Sequence, residues 1–294
     1  MTPEEIRPNG TPAPRIALMG EFSAGKSTLV NLLLGEDRSP VKVTATQLPP
    51  VWYSRGAPAL MRIGHDGAAA PIRPDELPAI TPADAQAVQV SMEADILEFC
   101  DLIDMPGMSD PNMPAEVWER VLGRADGVVW CTPATQAWRQ TEAAFWEQVD
   151  PDLWQRSLLL VTRMDKILTG RDRARVTARV AREAAETFRG VRPISLTEAL
   201  SGREDEEALK ASGFDDFAEA LIQLVEELRG LPRVRARQAG PPQFSAVQVE
   251  AQRCGRPSPG SAARSETPSV PSVADAAPAG ADSGTAVTPR RVVP

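Results

Sequence analysis

The chain has 294 residues, of which 42% are apolar and 24% charged, enough apolar material to bury a substantial core. Its formal net charge of -8 disfavours non-specific attraction to nucleic acid or to an anionic lipid leaflet. One histidine and three scattered cysteines, Cys100, Cys131 and Cys254, exclude a disulfide framework, a four-ligand zinc site and the His-dependent hydrolase triads.

Residues 1–14 read as a flexible N-terminus without the basic-then-apolar order of a secretion leader. No run in the sequence approaches the roughly 20 apolar residues that cross a bilayer, so no transmembrane segment and a cytoplasmic location are expected. Arg15 to Met19 predicts a buried strand that leads into a glycine-bounded turn and the helix Lys26 to Leu34. The turn, Gly20-Glu21-Phe22-Ser23-Ala24-Gly25-Lys26-Ser27, fits the phosphate-loop pattern G-x-x-x-x-G-K-[ST] without a mismatch. Glycines there allow backbone N–H groups to close around the α- and β-phosphates. Lys26 would reach the β- and γ-phosphates, and the Ser27 hydroxyl is placed to ligate Mg²⁺.

After the first helix, Val43-Thr44-Ala45-Thr46-Gln47 offers two threonines for a switch that closes over Mg²⁺ and the γ-phosphate. Thr46 is the expected one, with Thr44 as the alternative. Val51 to Ser54 and Ala59 to Ile63, joined by the turn Arg55-Gly56-Ala57-Pro58, predict an antiparallel hairpin at a sheet edge. The strand Asp101 to Ile103 runs into Asp104-Met105-Pro106-Gly107, where Asp104 would hold Mg²⁺ and the Gly107 N–H would face a γ-phosphate.

Helix Ala115 to Leu122, strand Gly127 to Cys131 and helix Arg139 to Gln148 continue the β-α alternation. The next strand, Leu158 to Val161, ends in Thr162-Arg163-Met164-Asp165, where a guanine-specifying [NT]-K-x-D sequence would fall. A carboxylate at Asp165 accepts from both guanine N1–H and the exocyclic amine, a pair that adenine does not present. Arg163 replaces lysine, and its planar guanidinium still covers a purine face. Helix Arg173 to Phe188 follows, with Val176, Val180, Ala184 and Phe188 facing inward and its arginines forming a solvated face. Ser195 ends the strand beginning at Val191 and would offer its backbone N–H to the guanine carbonyl. The helix Glu206 to Leu228 carries an apolar stripe of Phe217, Leu221, Leu224 and Leu228 expected to pack on the same domain. Trp130, Trp138, Trp146 and Trp154 read as core anchors, and Cys100 and Cys131 as small buried hydrophobes.

From Gly240 onward, 31 of the 55 residues are Pro, Gly, Ala or Ser, and Phe244 is the one aromatic. Residues 236–294 therefore predict a disordered tail that cannot offset its ordering entropy by burial, and residues 15–235 form a single α/β domain. The expected fold is three-layered, α/β/α, around a mostly parallel sheet.

The stretch from Gly20 through Thr28 to Gly35 resembles the phosphate loop and first helix of bacterial dynamin-like GTPases. Asp104-Met105-Pro106-Gly107 is similar to the D-x-P-G of dynamins, and Thr162-Arg163-Met164-Asp165 to their T-K-x-D. The resemblance spans roughly Arg15 to Leu200. It implies a P-loop GTPase that takes GTP and GDP with Mg²⁺, with Ser23 stabilising transition-state charge alongside a monovalent cation, K⁺ or Na⁺. It also implies activation by pairing of G domains into a homodimer. Met108 stands where Ras-like enzymes carry a water-orienting glutamine, and Phe22 where some dynamins carry one, so the water-positioning group is open. After the G domain the sequence offers only the Glu206 to Leu228 helix and the tail, so long helical stalk and lipid-contact segments of the kind that remodel membranes are not expected. The chain is therefore expected to act through a protein partner, bound by the tail or by the Glu206 to Leu228 helix, with peripheral membrane contact left open and no nucleic-acid partner. The competing reading is a nucleotide-gated binding module with negligible hydrolysis.

Overall fold

The computed structural model describes residues 13–35, 48–108, 115–229 and 231. Thr44, Thr46, Cys254, nearly all of the N-terminal segment and the whole expected tail lie outside the described residues.

Among the described residues, a single nine-stranded sheet runs through the domain. Its strands in chain order are β1 (Arg15–Gly20), β2 (Val51–Arg55), β3 (Ala59–Ile63), β4 (Ala69–Pro71), β5 (Ala87–Met92), β6 (Asp101–Asp104), β7 (Gly127–Pro133), β8 (Ser157–Thr162) and β9 (Gly190–Pro193). In space the order is β4-β3-β5-β2-β6-β1-β7-β8-β9. The strands β6, β1, β7, β8 and β9 pair in parallel. All six residues of β8 and the first six of β7 are buried, as expected of parallel strands covered on both faces.

The helices are α1 (Lys26–Leu34), α2 (Ala115–Leu122), α3 (Gln140–Trp146), α4 (Pro151–Trp154), α5 (Gly170–Glu183), α6 (Leu196–Ser201), α7 (Glu206–Ser212) and α8 (Phe214–Leu228). They form two layers with separate cores. Leu29 and Val30 of α1, Leu196 of α6 and the Phe217, Leu221, Leu224 stripe of α8 pack against Ile16 and Leu18 of β1 on one face. On the other, Trp118 of α2, Trp146 of α3, Leu153 of α4 and Val180 of α5 pack against Ala17, Met19 and Trp130. Alternation along β1 sends successive side chains to opposite cores. The second core is aromatic: Trp146 stacks on Phe188 with ring centroids 4.6 Å apart, and Trp130 meets Trp138 and Trp146 edge-on. The α/β/α architecture and the core placement of these tryptophans agree with the sequence reading.

The edge differs from expectation in its partners. β2 and β3 do not form a hairpin, because β5 lies between them, parallel to β2 and antiparallel to β3. The edge hairpin is β3–β4 instead. The apolar residues of β5 (Val88 and Val90 fully buried) give this strand a better claim to the interior position than the half-buried β3. The predicted helix 206–228 is also two helices, broken at Gly213. Among the described residues, no helix is long and apolar enough to cross a membrane.

Candidate nucleotide site

The phosphate-loop residues leave the C-terminal end of β1 and enter α1, at the end of a parallel sheet where open α/β folds place ligands. Gly20 has φ +133°, and a Cβ on it would lie 2.1 Å from the Cys131 carbonyl oxygen, so only glycine lets β1 run this close to β7. Ser23 and Gly25 also have positive φ, 58° and 94°, which curls the loop back on itself. Lys26 is buried, and its ammonium donates to the carbonyls of Gly20 at 3.1 Å and Glu21 at 2.8 Å. Burial lowers its pKa against the pull of Asp104, Cys131 and Glu21. The Ser27 hydroxyl donates to Asp104 Oδ2 at 3.2 Å.

Asp104 Oδ1 is buried and, among the described residues, has no hydrogen-bond partner. Desolvation pushes the Asp104 carboxyl up to about 6, despite the Lys26 charge and the Ser27 hydroxyl, which favour the ionised form. A desolvated carboxylate oxygen left bare beside a hydroxyl fits a hard divalent cation. Among the described residues no group of three His, Cys, Asp or Glu side chains stands ready to hold a metal.

The loop after β6 rides on the phosphate loop. A Cβ on Gly107 would meet the Phe22 Cα at 2.7 Å and its N at 2.8 Å, and the Met108 N–H donates to the Gly20 carbonyl at 3.2 Å. The Phe22 side chain itself is 60% exposed at the cleft. The cleft measures about 360 Å³ and is lined by the phosphate loop, Thr28, Asn31, Tyr53, the Asp104–Gly107 loop and Arg163.

The base-side loop follows β8. Arg163 adopts left-handed backbone geometry (φ 57°, ψ 36°), which turns the chain so that Asp165 comes next to Ser195. Asp165 Oδ1 accepts from the Ser195 hydroxyl at 3.3 Å, and Oδ2 pairs with the Lys166 ammonium at 2.9 Å. Burial raises the Asp165 carboxyl, but the hydrogen bond and charge of Lys166, with smaller backbone and Thr197 contributions, hold it below the usual carboxylate range. Two details differ from the sequence reading. The Ser195 N–H, expected to face a guanine carbonyl, donates to the Ser212 carbonyl at 2.8 Å because the α7–α8 break brings Ser212 there. Thr162 is fully buried, and its hydroxyl donates to the Ala24 carbonyl at 2.7 Å, so it braces the phosphate loop from the base side.

The sequence reading did not find Glu142, Thr132, Arg139 or Lys166. Glu142, on α3, is fully buried and accepts from Trp130 Nε1, the Thr132 hydroxyl and the Arg139 N–H, each at 3.0 Å. From this hub one arm passes through the Thr132 carbonyl and Thr162 to Ala24. The other passes through the Arg139 guanidinium to Glu21, 3.5 Å apart. The available signal was the three-residue spacing of Arg139 and Glu142, that of a helix-start capping box.

No protein-family model matches the chain. Over 123 residues it is 36% identical to the isoniazid-induced protein IniC of Mycobacterium tuberculosis, a match covering 39% of this chain and 25% of that protein. It is 24% identical over 215 residues to dynamin-like protein 2 of Campylobacter jejuni, covering 71% of this chain and 34% of that protein. Among solved structures, an oligomerised bacterial dynamin pair aligns with a TM-score of 0.54 at 20% identity, over 74% of this chain and 36% of that one. The chain thus spans between a quarter and about a third of the length of the curated relatives it matches.

Proposed function

We propose that the chain carries a dynamin-like G domain, in line with its similarity to dynamin-like protein 2 and to the bacterial dynamin pair, and that it binds GTP with Mg²⁺ and hydrolyses it to GDP and phosphate. The observation that carries this reading is the Lys26–Ser27–Asp104 constellation at the end of β1, with one buried Asp104 oxygen bare. Lys26 would exchange the two loop carbonyls for β- and γ-phosphate oxygens, a charge-assisted bond stronger than either it replaces. Ser27 and Asp104 would hold the metal, with Thr46 as the third protein group from outside the described residues. Bound Mg²⁺ neutralises charge that develops on the β- and γ-phosphate oxygens. The backbone of residues 20–28 wraps the phosphates, Ser23 faces the transition-state charge together with K⁺ or Na⁺, and Gly107 closes the γ-phosphate side. On the base side Arg163 covers the purine and Asp165 reads its edge, held by Ser195 and Lys166.

Phe22 and Met108 carry no polar group that would orient water, which favours a second reading of the same site. In that reading the domain loads GTP and switches, and turnover waits on a second G domain or a protein partner. Pairing across the nucleotide sites would bring the exposed Phe22 of each copy into the contact.

The test is nucleotide selectivity read by titration calorimetry. Wild type should prefer GTP over ATP by at least about a hundredfold, the scale of a lost bidentate contact with a partly buried carboxylate. In Asp165→Asn, the side-chain amide would oppose the guanine exocyclic amine but donate to the C2 carbonyl of xanthine. The preference should then move to xanthosine triphosphate. A variant that keeps its GTP preference would remove Asp165 from base reading, and wild type that binds neither nucleotide would end the proposal.

A further inference from the structure

Charge is sharply segregated outside the nucleotide cleft. Between Arg171 and Arg182 there are five basic residues and one acidic one, in a protein of net charge -8. Between Glu204 and Glu227 there are nine acidic residues and one lysine.

The two segments also match in spacing. On α5, Arg171, Arg175, Ala178 and Arg182 are all exposed and follow one another at intervals of four, three and four residues, a single stripe along the helix. On α8, Asp215, Glu219, Ile222 and Glu226 are exposed at the same intervals. Among the described residues, the three arginines have no ion pair, and Glu219 has only a side-chain bond from Gln223 at 3.2 Å. A groove of about 680 Å³ runs along the arginine stripe; Ile167 and Val176 supply its apolar floor, and Arg175, Ala178, Arg182 and the acidic Asp172 also line it. Opposite it in chemistry, Ile222 is an exposed apolar residue inside the acidic stripe.

The stripes cannot meet within one chain. α5 is anchored through Val180 in the core on one side of the sheet, and α8 through Phe217, Leu221 and Leu224 in the core on the other. We propose that the basic stripe of α5 receives the acidic stripe of α8 from a second copy of this chain. Helices of 14 and 15 residues are about 21 and 23 Å long, so the stripes match in length. Each arginine then faces a carboxylate, and Ile222 enters the apolar floor of the groove. The two faces differ, so the contact is head-to-tail and repeats from copy to copy instead of closing a twofold dimer. Neither stripe lines the nucleotide cleft, which makes this surface independent of pairing across the nucleotide sites and of the proposed GTPase reading.

Sedimentation velocity of the full chain without nucleotide tests it. Association beyond a dimer should grow with concentration at about 50 mM salt and weaken at least tenfold at about 500 mM, where the Debye length shrinks to roughly 4 Å. The triple reversal Arg171→Glu, Arg175→Glu, Arg182→Glu should be monomeric, and so should Asp215→Arg, Glu219→Arg, Glu226→Arg. Mixed in equal amounts, the two variants should associate again, because each now carries stripes complementary to the other's. Melting curves establish that both are folded; should either triple variant melt early, the pair Arg175→Glu and Glu219→Arg serves instead. Wild type that stays monomeric at low salt, variants that associate alone, or folded variants that fail to associate on mixing would each overturn the proposal. Monomeric wild type that floats with phosphatidylglycerol vesicles through the arginine stripe would overturn it in favour of a lipid surface.

Discussion

Glu142 gathers three donors in a fully buried site, and both of its arms end on the phosphate loop. Removing its charge while keeping its shape isolates the consequence. In Glu142→Gln one oxygen becomes an N–H₂ group that faces a donor, so a buried polar group is left unsatisfied at a cost of about 2 kcal/mol. Urea denaturation should show that loss with the slope unchanged, and GTP affinity should fall with it as the Thr162 and Arg139 braces slacken. The pH dependence has a definite sign. Burial raises the Glu142 pKa, and the bonds from Trp130, Arg139 and Thr132 only partly offset it. A carboxyl whose folded pKa lies above its unfolded value contributes most below the ordinary glutamate range, and the contribution is lost as pH rises through the folded pKa. Wild type should therefore gain stability relative to Glu142→Gln as pH is lowered from 7 toward 5. A difference that is flat across this interval would contradict a buried, raised carboxyl. Gly107 gives a second case at this scale: in Gly107→Ala the new Cβ would strike the Phe22 backbone, so the phosphate loop must shift. Nucleotide affinity should drop tenfold or more with little change in melting temperature, since the displaced atoms lie at the cleft and not in either core.

At the level of elements, Gly213 shows where local pattern and tertiary demand part company. The apolar stripe from Phe217 to Leu228 reads as one helix with the acidic segment before it, and periodicity carries no sign of a break. The break arises because Gly213 sits at φ +85° with its α-carbon facing the Pro193 carbonyl, where a Cβ would lie 2.4 Å away. That geometry delivers the Ser212 carbonyl to the Ser195 N–H and so fixes the start of α6 beside Asp165. In Gly213→Ala both the left-handed backbone and the close approach are penalised, and the loss should reach about 2 kcal/mol or more. If the break serves the site, guanine preference should weaken in the same variant. Stability lost with selectivity intact would make Gly213 a folding residue alone. The same contrast explains what could be read beforehand. β1, β7 and β8 carry continuous apolar runs, and the phosphate loop is set by residue types at fixed spacing, so both were legible. The pairing of β3 was not, because β5 competes with β2 for it across an intervening stretch, and burial of Val88 and Val90 decides the competition. Glu142 was hidden for a related reason: a lone glutamate gains its meaning only from the Trp130 and Thr132 donors that the sheet brings to it.

For the molecule as a whole, both cores are closed by residues between Ile16 and Leu228, with Leu228 itself packed against the first core. Folding and nucleotide binding should accordingly belong to the domain we assign to residues 15–235. A chain ending at residue 235 should melt within about 2 °C of the full chain and bind GTP equally well, because the described residues that form both cores all precede that point. Turnover is a different matter. Lys26, Ser27 and Asp104 are assembled within one domain, whereas Phe22 and Met108 leave the attacking water without a polar partner from these two positions. Should a second G domain supply what is missing, phosphate release per molecule must rise with protein concentration, be faster in K⁺ than in Li⁺, and vanish in Lys26→Ala. The arginine-stripe triple variant separates the two kinds of assembly in this assay. Pairing across the nucleotide sites would keep the concentration dependence in that variant, while activation through the α5–α8 contact would lose it. A rate per molecule that stays constant over a range where dimers form would mean that association contributes nothing to hydrolysis, and the domain would then be a switch whose turnover depends on another protein.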